Sequence, residues 1–235
     1  MEKQEILEKF GGKKIDFSKI SSYEQWSLNF FHNKEIVREP NLQMTLQVDV
    51  TKGMDYYKNT LKKMQGASFT GFLMWALVQN MKKHPYFNYR MIEGEWYSFD
   101  NLPVFSPIAV GGDTRFTEIL VENPAFSTLE EFFVNYRKCV DRAFNKVGDG
   151  NFEPLPPIVW ATAHFIGNLP NLQFTGFQLH ASALDSARPF FYFGKRYQQG
   201  EKWFIPLSVT FDHSNLDPFV LSAFMEDLDK IINPA

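Results

Sequence analysis

The stretch at residues 203–224 constrains the fold of this chain more than any other, because strand, polar and helical patterns follow one another without a break. Its first half is apolar and partly β-branched at Phe204, Leu207, Val209 and Phe211, which is typical of a buried strand. Apolar residues then return at helical spacing after a polar interval. The stretch therefore predicts a core strand that leads directly into a helix.

A polar cluster separates this strand from the helix. Its members are Asp212, His213, Ser214, Asn215 and Asp217. Asp217 precedes Pro218, and this pair is typical of a helix start, with the aspartate as the N-cap and the proline at the first helical position. His213 is thus expected at the carboxyl end of a core strand beside a helix N-terminus, where a general base would be well placed. A hydrogen-bonded structural histidine is the alternative interpretation.

Composition limits the classes of partner. The chain has 235 residues, of which 44% are hydrophobic and 25 are phenylalanine, so a large core rich in aromatic rings is expected. The net charge of -3 gives no electrostatic reason to expect binding to nucleic acid or to an anionic membrane surface. There is no apolar run of about 18 residues that would predict a transmembrane helix.

The cysteine, histidine and N-terminal patterns point to a cytoplasmic protein without a metal. The one cysteine, Cys139, excludes an internal disulfide and fits a reducing compartment. The N-terminus is charged throughout and lacks the apolar core of a signal peptide. The five histidines are scattered without metal-ligand spacing, so no metal site is expected.

Periodicity predicts an α+β fold in one domain, with a mixed β-sheet covered by helices. Helices are expected at 22–32, 54–64, 68–83, 127–144 and 218–232. Strands are expected at 42–50, 87–92, 96–99, 104–110, 116–121, 158–165, 172–181, 190–193 and 203–211. Residues 1–13 form a separate N-terminal arm, amphipathic through Ile6, Leu7 and Phe10, which either docks or is poorly ordered. The domain itself spans residues 14–235.

Four segments together resemble the chloramphenicol acetyltransferase family. Residues 189–218 contain Gly-Lys, Pro-Leu and His-x-x-x-Asp elements in the order of the family's C-terminal pattern PxFxxGKYxxxGxxxxxPLxxxxHHxxxDG. Residues 68–95 are similar to its helix ending in HPxF, residues 124–137 to its FSSLxxxY helix, and residues 166–177 to its SAxPWxxFTxF strand. The likeness runs from about residue 14 to the end of the chain.

The resemblance implies the CoA-dependent acyltransferase type of fold and a homotrimer with active sites between subunits. It also implies direct transfer of an acetyl group from acetyl-CoA, as co-substrate, to the hydroxyl of a small, chloramphenicol-like acceptor. No bound cofactor is expected. If chloramphenicol is the acceptor, the role would be antibiotic resistance.

The same resemblance assigns candidate site residues. His213 matches the catalytic base, and Asp217 keeps the His-x-x-x-Asp spacing. Lys195 matches the basic residue of the Gly-Lys pair, and Asn171 stands where the family has a tryptophan that helps to hold the CoA adenine. The pocket aromatics would be Trp26, Phe30 and Phe31, whose alternative role is packing within a helix.

The chain departs from the family pattern at four polar positions. Asp212 replaces the first histidine of the pair, Pro218 replaces the glycine, Gly167 replaces the serine that stabilises the oxyanion, and Ser22 replaces the arginine that pairs with the aspartate. Losing one oxyanion donor typically costs about 10²–10³ in rate. Two functions therefore remain open. The first is an O-acetyltransferase with a histidine base, and the second is a catalytically impaired relative that serves as a trimeric ligand-binding or regulatory module.

Overall fold

The computed structural model describes residues 2–148, 154–180 and 186–234. The elements occur in this order: α1 (Lys3–Phe10), β1 (Gly12–Lys14), α2 (Ser22–Phe30), β2 (Asn41–Asp49), α3 (Thr51–Asn59), α4 (Phe69–Lys83), β3 (Tyr89–Ile92), β4 (Glu95–Phe99), β5 (Val104–Gly111), β6 (Arg115–Val121), α5 (Leu129–Gly148), α6 (Pro157–Thr162), β7 (His164–Asn168), β8 (Phe190–Phe193), β9 (Tyr197–Gln199), β10 (Lys202–Asp212) and α7 (Pro218–Ile232). The predicted mixed sheet covered by helices is confirmed.

The larger sheet is organised around β10, its longest strand. The strand order is β2-β10-β8-β7-β5-β6, and β9 adds to β10. β10 pairs antiparallel with β2 from Phe204 to Asp212 on one side and with β8 from Leu207 to Thr210 on the other. β7 runs parallel to both β8 and β5. With neighbours on both edges, β10 is buried from Ile205 to Asp212, as its apolar sequence predicts.

Helices α4 and α7 cover this sheet. Most of α4 is buried, which agrees with its nearly continuous apolar sequence. Ser68 caps it, as expected, by accepting the Gly71 backbone N–H at 2.9 Å. The buried Asn80 side chain donates to the Phe224 carbonyl at 2.7 Å and so ties α4 to α7.

The N-terminal arm docks on the smaller sheet, which has the order β1-β4-β3. Ile6 and Phe10 of α1 are fully or almost fully buried in a cluster that also contains Tyr97. Lys3 adds an ion pair with Glu95 at 3.1 Å. Apolar burial thus holds α1 in place, and the domain boundary at residue 13 stays a prediction.

Three sequence predictions differ from the structure. Residues 158–165 were expected as one strand, but α6 occupies most of this range and β7 begins only at His164. The reason lies in Pro156 and Pro157, since a proline fits the first helical turn and the Pro156 carbonyl accepts the Trp160 N–H. The helix expected at 54–64 begins and ends earlier, as α3, and a 3₁₀ turn follows at Leu61–Lys63.

The third difference concerns residues 172–181, which were expected as a strand. Residues 172–180 have no strand assignment, and residue 181 lies outside the described residues. The Leu172 N–H bonds to the Leu169 carbonyl in a turn, and the Leu172 carbonyl accepts the Lys195 N–H from the segment after β8. This segment finds no strand to pair with among the described residues of one subunit, so no ladder forms.

None of the helices in the described ranges is long and apolar enough to cross a membrane. Within the same ranges, no three His, Cys, Asp or Glu side chains lie together as a metal-ligand set.

Candidate active site

The turn after β10 is fixed by backbone contacts from several directions. The His213 N–H donates to the Pro40 carbonyl at 2.9 Å, and the Ser27 hydroxyl donates to the Ser214 carbonyl at 2.9 Å. Asp212, which is 1% exposed, accepts the Ser214 N–H at 2.7 Å. The residue that replaces the first histidine of the family pattern thus shapes the turn that carries His213.

The imidazole of His213 has a defined tautomer. Its Nδ1 lies 3.2 Å from the Leu216 carbonyl oxygen. Because a carbonyl can only accept, Nδ1 must carry the hydrogen, and Nε2 of the neutral ring keeps its lone pair. The ring stacks on Phe31 with 4.0 Å between centroids. This arrangement gives a half-buried base whose orientation is fixed on two sides.

Asp217 is the N-cap of α7, as its sequence position predicts. Its Oδ1 accepts the Val220 N–H at 2.8 Å, with Pro218 at the first helical position. Its Oδ2 lies 3.4 Å from the Tyr23 hydroxyl, which donates to it. The carboxylate therefore has amide and phenol partners at the position where the family uses an arginine, and it anchors the helix that follows the base.

A cavity of about 270 Å³ opens beside His213. Its walls come from the start of α2, from Tyr86 and Tyr89, and from the turn and helix start at residues 213–220. We call it the base cavity. The residues that line it include two carboxylates, Glu24 and Asp217, and no lysine or arginine.

Tyrosine hydroxyls surround these carboxylates. The Tyr89 hydroxyl donates to Glu24 at 3.0 Å. Burial and then the charge of Glu24 raise the pKa of Tyr89, and burial followed by Glu24 and Asp217 raises the pKa of Tyr86. Burial and then Asp217 raise the pKa of Tyr23. All three phenols therefore stay protonated near neutral pH.

The expected pocket aromatics form a contiguous ring cluster that ends at His213. Trp26 stacks on Phe30 at 5.0 Å, and Phe30 meets Phe31 edge-on at 5.3 Å. Phe31 is the member that touches His213. None of the three lines the base cavity, and the indole of Trp26 is 47% exposed.

A second cavity of about 270 Å³ lies around Lys195, and we call it the cationic cavity. Apolar side chains form much of its wall, among them Phe69, Leu73 and Trp203, and Lys195 and Arg196 are its cations. Both cations are exposed, and the Arg196 guanidinium lies 4.9 Å from the Phe69 ring centroid. Asn171 is exposed and does not line this cavity, although Pro170 beside it does.

The two cavities lie at opposite ends of β10. Ile205 lines the cationic cavity, and His213 lines the base cavity. Eight positions of extended chain correspond to about 25 Å. Within one subunit, therefore, the structure does not bring Lys195 and His213 together.

Comparison with known proteins assigns the family. A sequence model of the chloramphenicol acetyltransferase family matches residues 14–229. The chain belongs to this family. It is 28% identical to a chloramphenicol acetyltransferase of Campylobacter coli over 93% of this chain and 100% of that protein. It is 26% identical to one of Klebsiella sp over 90% of this chain and 94% of that protein.

Solved structures show the same fold. A chloramphenicol acetyltransferase superposes with a TM-score of 0.75 at 20% identity, covering 94% of this chain and 99% of the other. The dihydrolipoamide acetyltransferase of Azotobacter vinelandii gives a TM-score of 0.62 at 15% identity, with coverage of 94% and 92%. The protein thus has the CoA-dependent acyltransferase fold of the chloramphenicol acetyltransferase family.

The structure leaves no room for a side chain at Gly167, the position that the sequence resemblance matches to the family's serine. A Cβ at position 167 would overlap the Tyr192 ring, which lies across from it in the β7–β8 pairing. A serine cannot enter unless Tyr192 moves. The adjacent Asn168 has its amide engaged with the Thr70 hydroxyl at 2.9 Å.

Buried cations lie at the strand end where β7 and β8 begin. The guanidinium of Arg90 is fully buried, donates to three backbone carbonyls and lies 3.4 Å from His164 Nδ1. Burial, followed by the charges of Arg90 and Arg188, holds the pKa of His164 well below its usual value. Arg188 stacks on Trp160 at 3.9 Å. His164 is therefore a neutral structural histidine.

Sequence reasoning missed Glu24, Tyr86, Tyr89 and Arg196. Tyr86 lies in a 3₁₀ turn at Pro85–Asn88, and Tyr89 follows it as the first residue of β3, so each is ordinarily explained by its own element. Glu24 lies in the first turn of α2, where an acidic residue is ordinarily explained by the helix dipole. Arg196 is next to the expected Lys195. Each residue therefore has a sufficient local explanation, and its position in a cavity wall could not be predicted from the sequence.

Proposed function

We propose that this protein is an O-acetyltransferase that moves the acetyl group of acetyl-CoA to a hydroxyl of a small molecule, with His213 as the general base. The observation that carries the proposal is the contact of His213 Nδ1 with the Leu216 carbonyl. This contact leaves Nε2 as the basic atom in a ring whose pose is set by Phe31. Membership of an acetyltransferase family makes acyl transfer the expected use of such a base.

The reaction needs one proton relay. Nε2 of His213 takes the hydroxyl proton while the acceptor oxygen forms a bond to the acetyl carbonyl carbon. The C–S bond then breaks, and the proton passes from Nε2 to the CoA sulfur. A neutral imidazole can accept the first proton and then donate it to the leaving sulfur. Asp217 acts in this proposal as a positioning residue, because it caps α7 directly after the turn that carries the base.

Lys195 belongs to the donor side of the proposal. The phosphates of acetyl-CoA suit an exposed lysine and arginine at the mouth of an apolar cavity. Asn171, near the same cavity, would contribute amide hydrogen bonds where the family has an indole. On the acceptor side, Phe31 reaches His213, and Trp26 and Phe30 would extend the aromatic surface to a substrate ring.

A homotrimer would bring the donor and acceptor sides together. Along β10, about 25 Å of extended chain separates Ile205, which lines the cationic cavity, from His213, so a complete site between subunits fits the geometry. The strand-like sequence at residues 172–180 supports this, because it has no ladder partner among the described residues of its own subunit and exposes 58% of Leu172. Light scattering at micromolar concentration should give three times the mass of the chain, and a monomer would contradict this part.

The competing function is a trimeric ligand-binding or regulatory module with impaired catalysis. The observation that favours it is Gly167, where Tyr192 fills the space of the family's oxyanion hydroxyl. Titration with CoA and acetyl-CoA by calorimetry, followed by thiol release in the presence of chloramphenicol, separates the two. Binding with turnover supports the transferase. Binding of CoA without thiol release for any hydroxyl acceptor would leave the binding module.

A further inference from the structure

The described lining of the base cavity carries a net negative charge. Glu24 receives a hydrogen bond from the neutral Tyr89 hydroxyl, and Asp217 receives one from an amide and one from a phenol. Among the described residues that line the cavity, none is a lysine or an arginine. The N-terminus of α7 offsets part of the charge of Asp217, because a helix N-terminus favours an anion. Glu24 lies in the first turn of α2 and gains a similar partial offset from that helix N-terminus, so the two carboxylates still leave the lining with a net negative charge.

Aromatic rings stand beside these carboxylates. The Tyr86 and Tyr89 rings contact each other at 5.6 Å with an interplanar angle of 77°, and both line the cavity together with Tyr23. The face of a tyrosine ring attracts a cation, and the attraction grows when water is excluded. A wall that combines tyrosines with carboxylates suits a positive centre better than a neutral one.

Two buried oxygens of the same wall lack hydrogen-bond partners. They are Ser214 Oγ, in a residue that is 2% exposed, and Asn215 Oδ1, in a residue that is 7% exposed. The Asn215 amide nitrogen donates to the Tyr86 carbonyl at 2.9 Å, which fixes Oδ1 as the atom left over. A buried acceptor without a donor is costly, so these oxygens favour a ligand with N–H groups.

We propose that the acceptor is an amino alcohol, whose ammonium group binds between Glu24 and the tyrosines of the base cavity while its hydroxyl faces His213. The class of acceptor rests on the proposed transferase function, and the ammonium site itself does not. Ammonium N–H groups would meet Asn215 Oδ1 and the Glu24 carboxylate. Chloramphenicol, whose two nitrogens belong to a neutral amide and a nitro group, would leave both without a charged partner.

The test compares two isosteres. In phenylethanolamine, the CH₂ next to the hydroxyl-bearing carbon carries an ammonium group. In 1-phenylpropanol, the same CH₂ carries a methyl group. Calorimetric titration of the whole protein without acetyl-CoA should show binding of the amine that is tighter by about tenfold or more. Glu24→Gln keeps an oxygen for Tyr89 and removes the charge, so it should abolish most of this preference. Glu226→Gln, an exposed carboxylate on α7, is the matched control and should preserve it.

Equal affinities in the unmodified protein would overturn the inference without any variant. So would a preference that persists in Glu24→Gln with an unchanged melting temperature. Thiol release from acetyl-CoA is measured separately with each compound. Selective binding of the amine without thiol release would retain the ammonium site and overturn the amino alcohol as the acetyl acceptor. Turnover of both compounds with equal KM would retain the transferase and refute the ammonium site.

Discussion

The two cavities at the ends of β10 have opposite electrostatic character. The base cavity contains His213, two carboxylates and three tyrosines, whereas the cationic cavity contains Lys195 and Arg196 over an apolar wall. Both have a volume of about 270 Å³, so charge distinguishes them and size does not. A reaction between a phosphate-bearing donor and an ammonium-bearing acceptor would use this difference to keep each substrate out of the other's cavity.

The largest expected effect is that of His213→Ala, which tests whether the general base of acetyl transfer lies at the base cavity. Removal of a general base should lower kcat by about 10³-fold, because nothing else in the cavity offers a lone pair in the same place. The measurement is thiol release at saturating acetyl-CoA, with the melting temperature as a check on folding. Lys62→Ala, at an exposed position outside both cavities, should leave the rate unchanged.

Mixed oligomers sharpen the same test. Subunits with His213→Ala co-assembled with subunits that lack Lys195 and Arg196 should regain part of the activity if each site draws on two subunits. Activity of such mixtures no higher than the sum of the two parents would show that one subunit supplies both parts.

The second effect concerns the cationic cavity. Lys195→Ala combined with Arg196→Ala should raise KM for acetyl-CoA by about 10²-fold, since two charge-assisted contacts to phosphate would be lost. KM for S-acetylpantetheine, which lacks these phosphates, should not change. The control is Lys62→Ala with Lys63→Ala, two exposed lysines outside both cavities. An equal rise in KM for both donors would mean that the pair acts through folding and not through phosphate.

Gly167→Ser tests whether Tyr192 excludes a side chain at the position that the resemblance matches to the family's serine. Overlap with Tyr192 should lower the free energy of unfolding by about 1–3 kcal/mol, measured by denaturant titration. The same substitution should cost less in a Tyr192→Ala background, because the overlap is then removed. Identical costs in the two backgrounds would show that the ring of Tyr192 does not exclude a side chain at position 167.

The smallest effect is the pH dependence of stability from His164, which must be separated from any titration in the base cavity. In the unfolded state His164 has its ordinary pKa of 6.5. In the folded state, burial and then the charges of two arginines hold the pKa of His164 well below that value. Stability is therefore full above pH 6.5 and falls below it, by about 1.4 kcal/mol per pH unit for one such group. Denaturant titrations between pH 7.5 and 5.5 should show this slope, and His164→Asn should flatten it. A slope of the same size in both proteins would assign it to other groups.

Several features followed from sequence because local physics decides them. The alternation in β2 and the apolar run in β10 predicted strands that the structure contains. The Asp217-Pro218 pair predicted the start of α7, since an N-cap carboxylate and a first-turn proline act within four residues of backbone. The strand prediction for residues 158–165 was wrong, because a short apolar run fits a strand or a buried helix equally well.

The sequence by itself determined the family, the order of most elements, and the place of His213 at a strand end beside a helix. Those properties depend on spacing and on neighbours along the chain. Only the tertiary structure decided that Glu24, Tyr86, Tyr89 and Asp217 share one cavity, that Tyr192 fills the space beside Gly167, and that Lys195 lies far from His213 within a subunit. These contacts join residues that are distant in sequence, and their distances are set by how strands pair and helices pack, which no local pattern encodes.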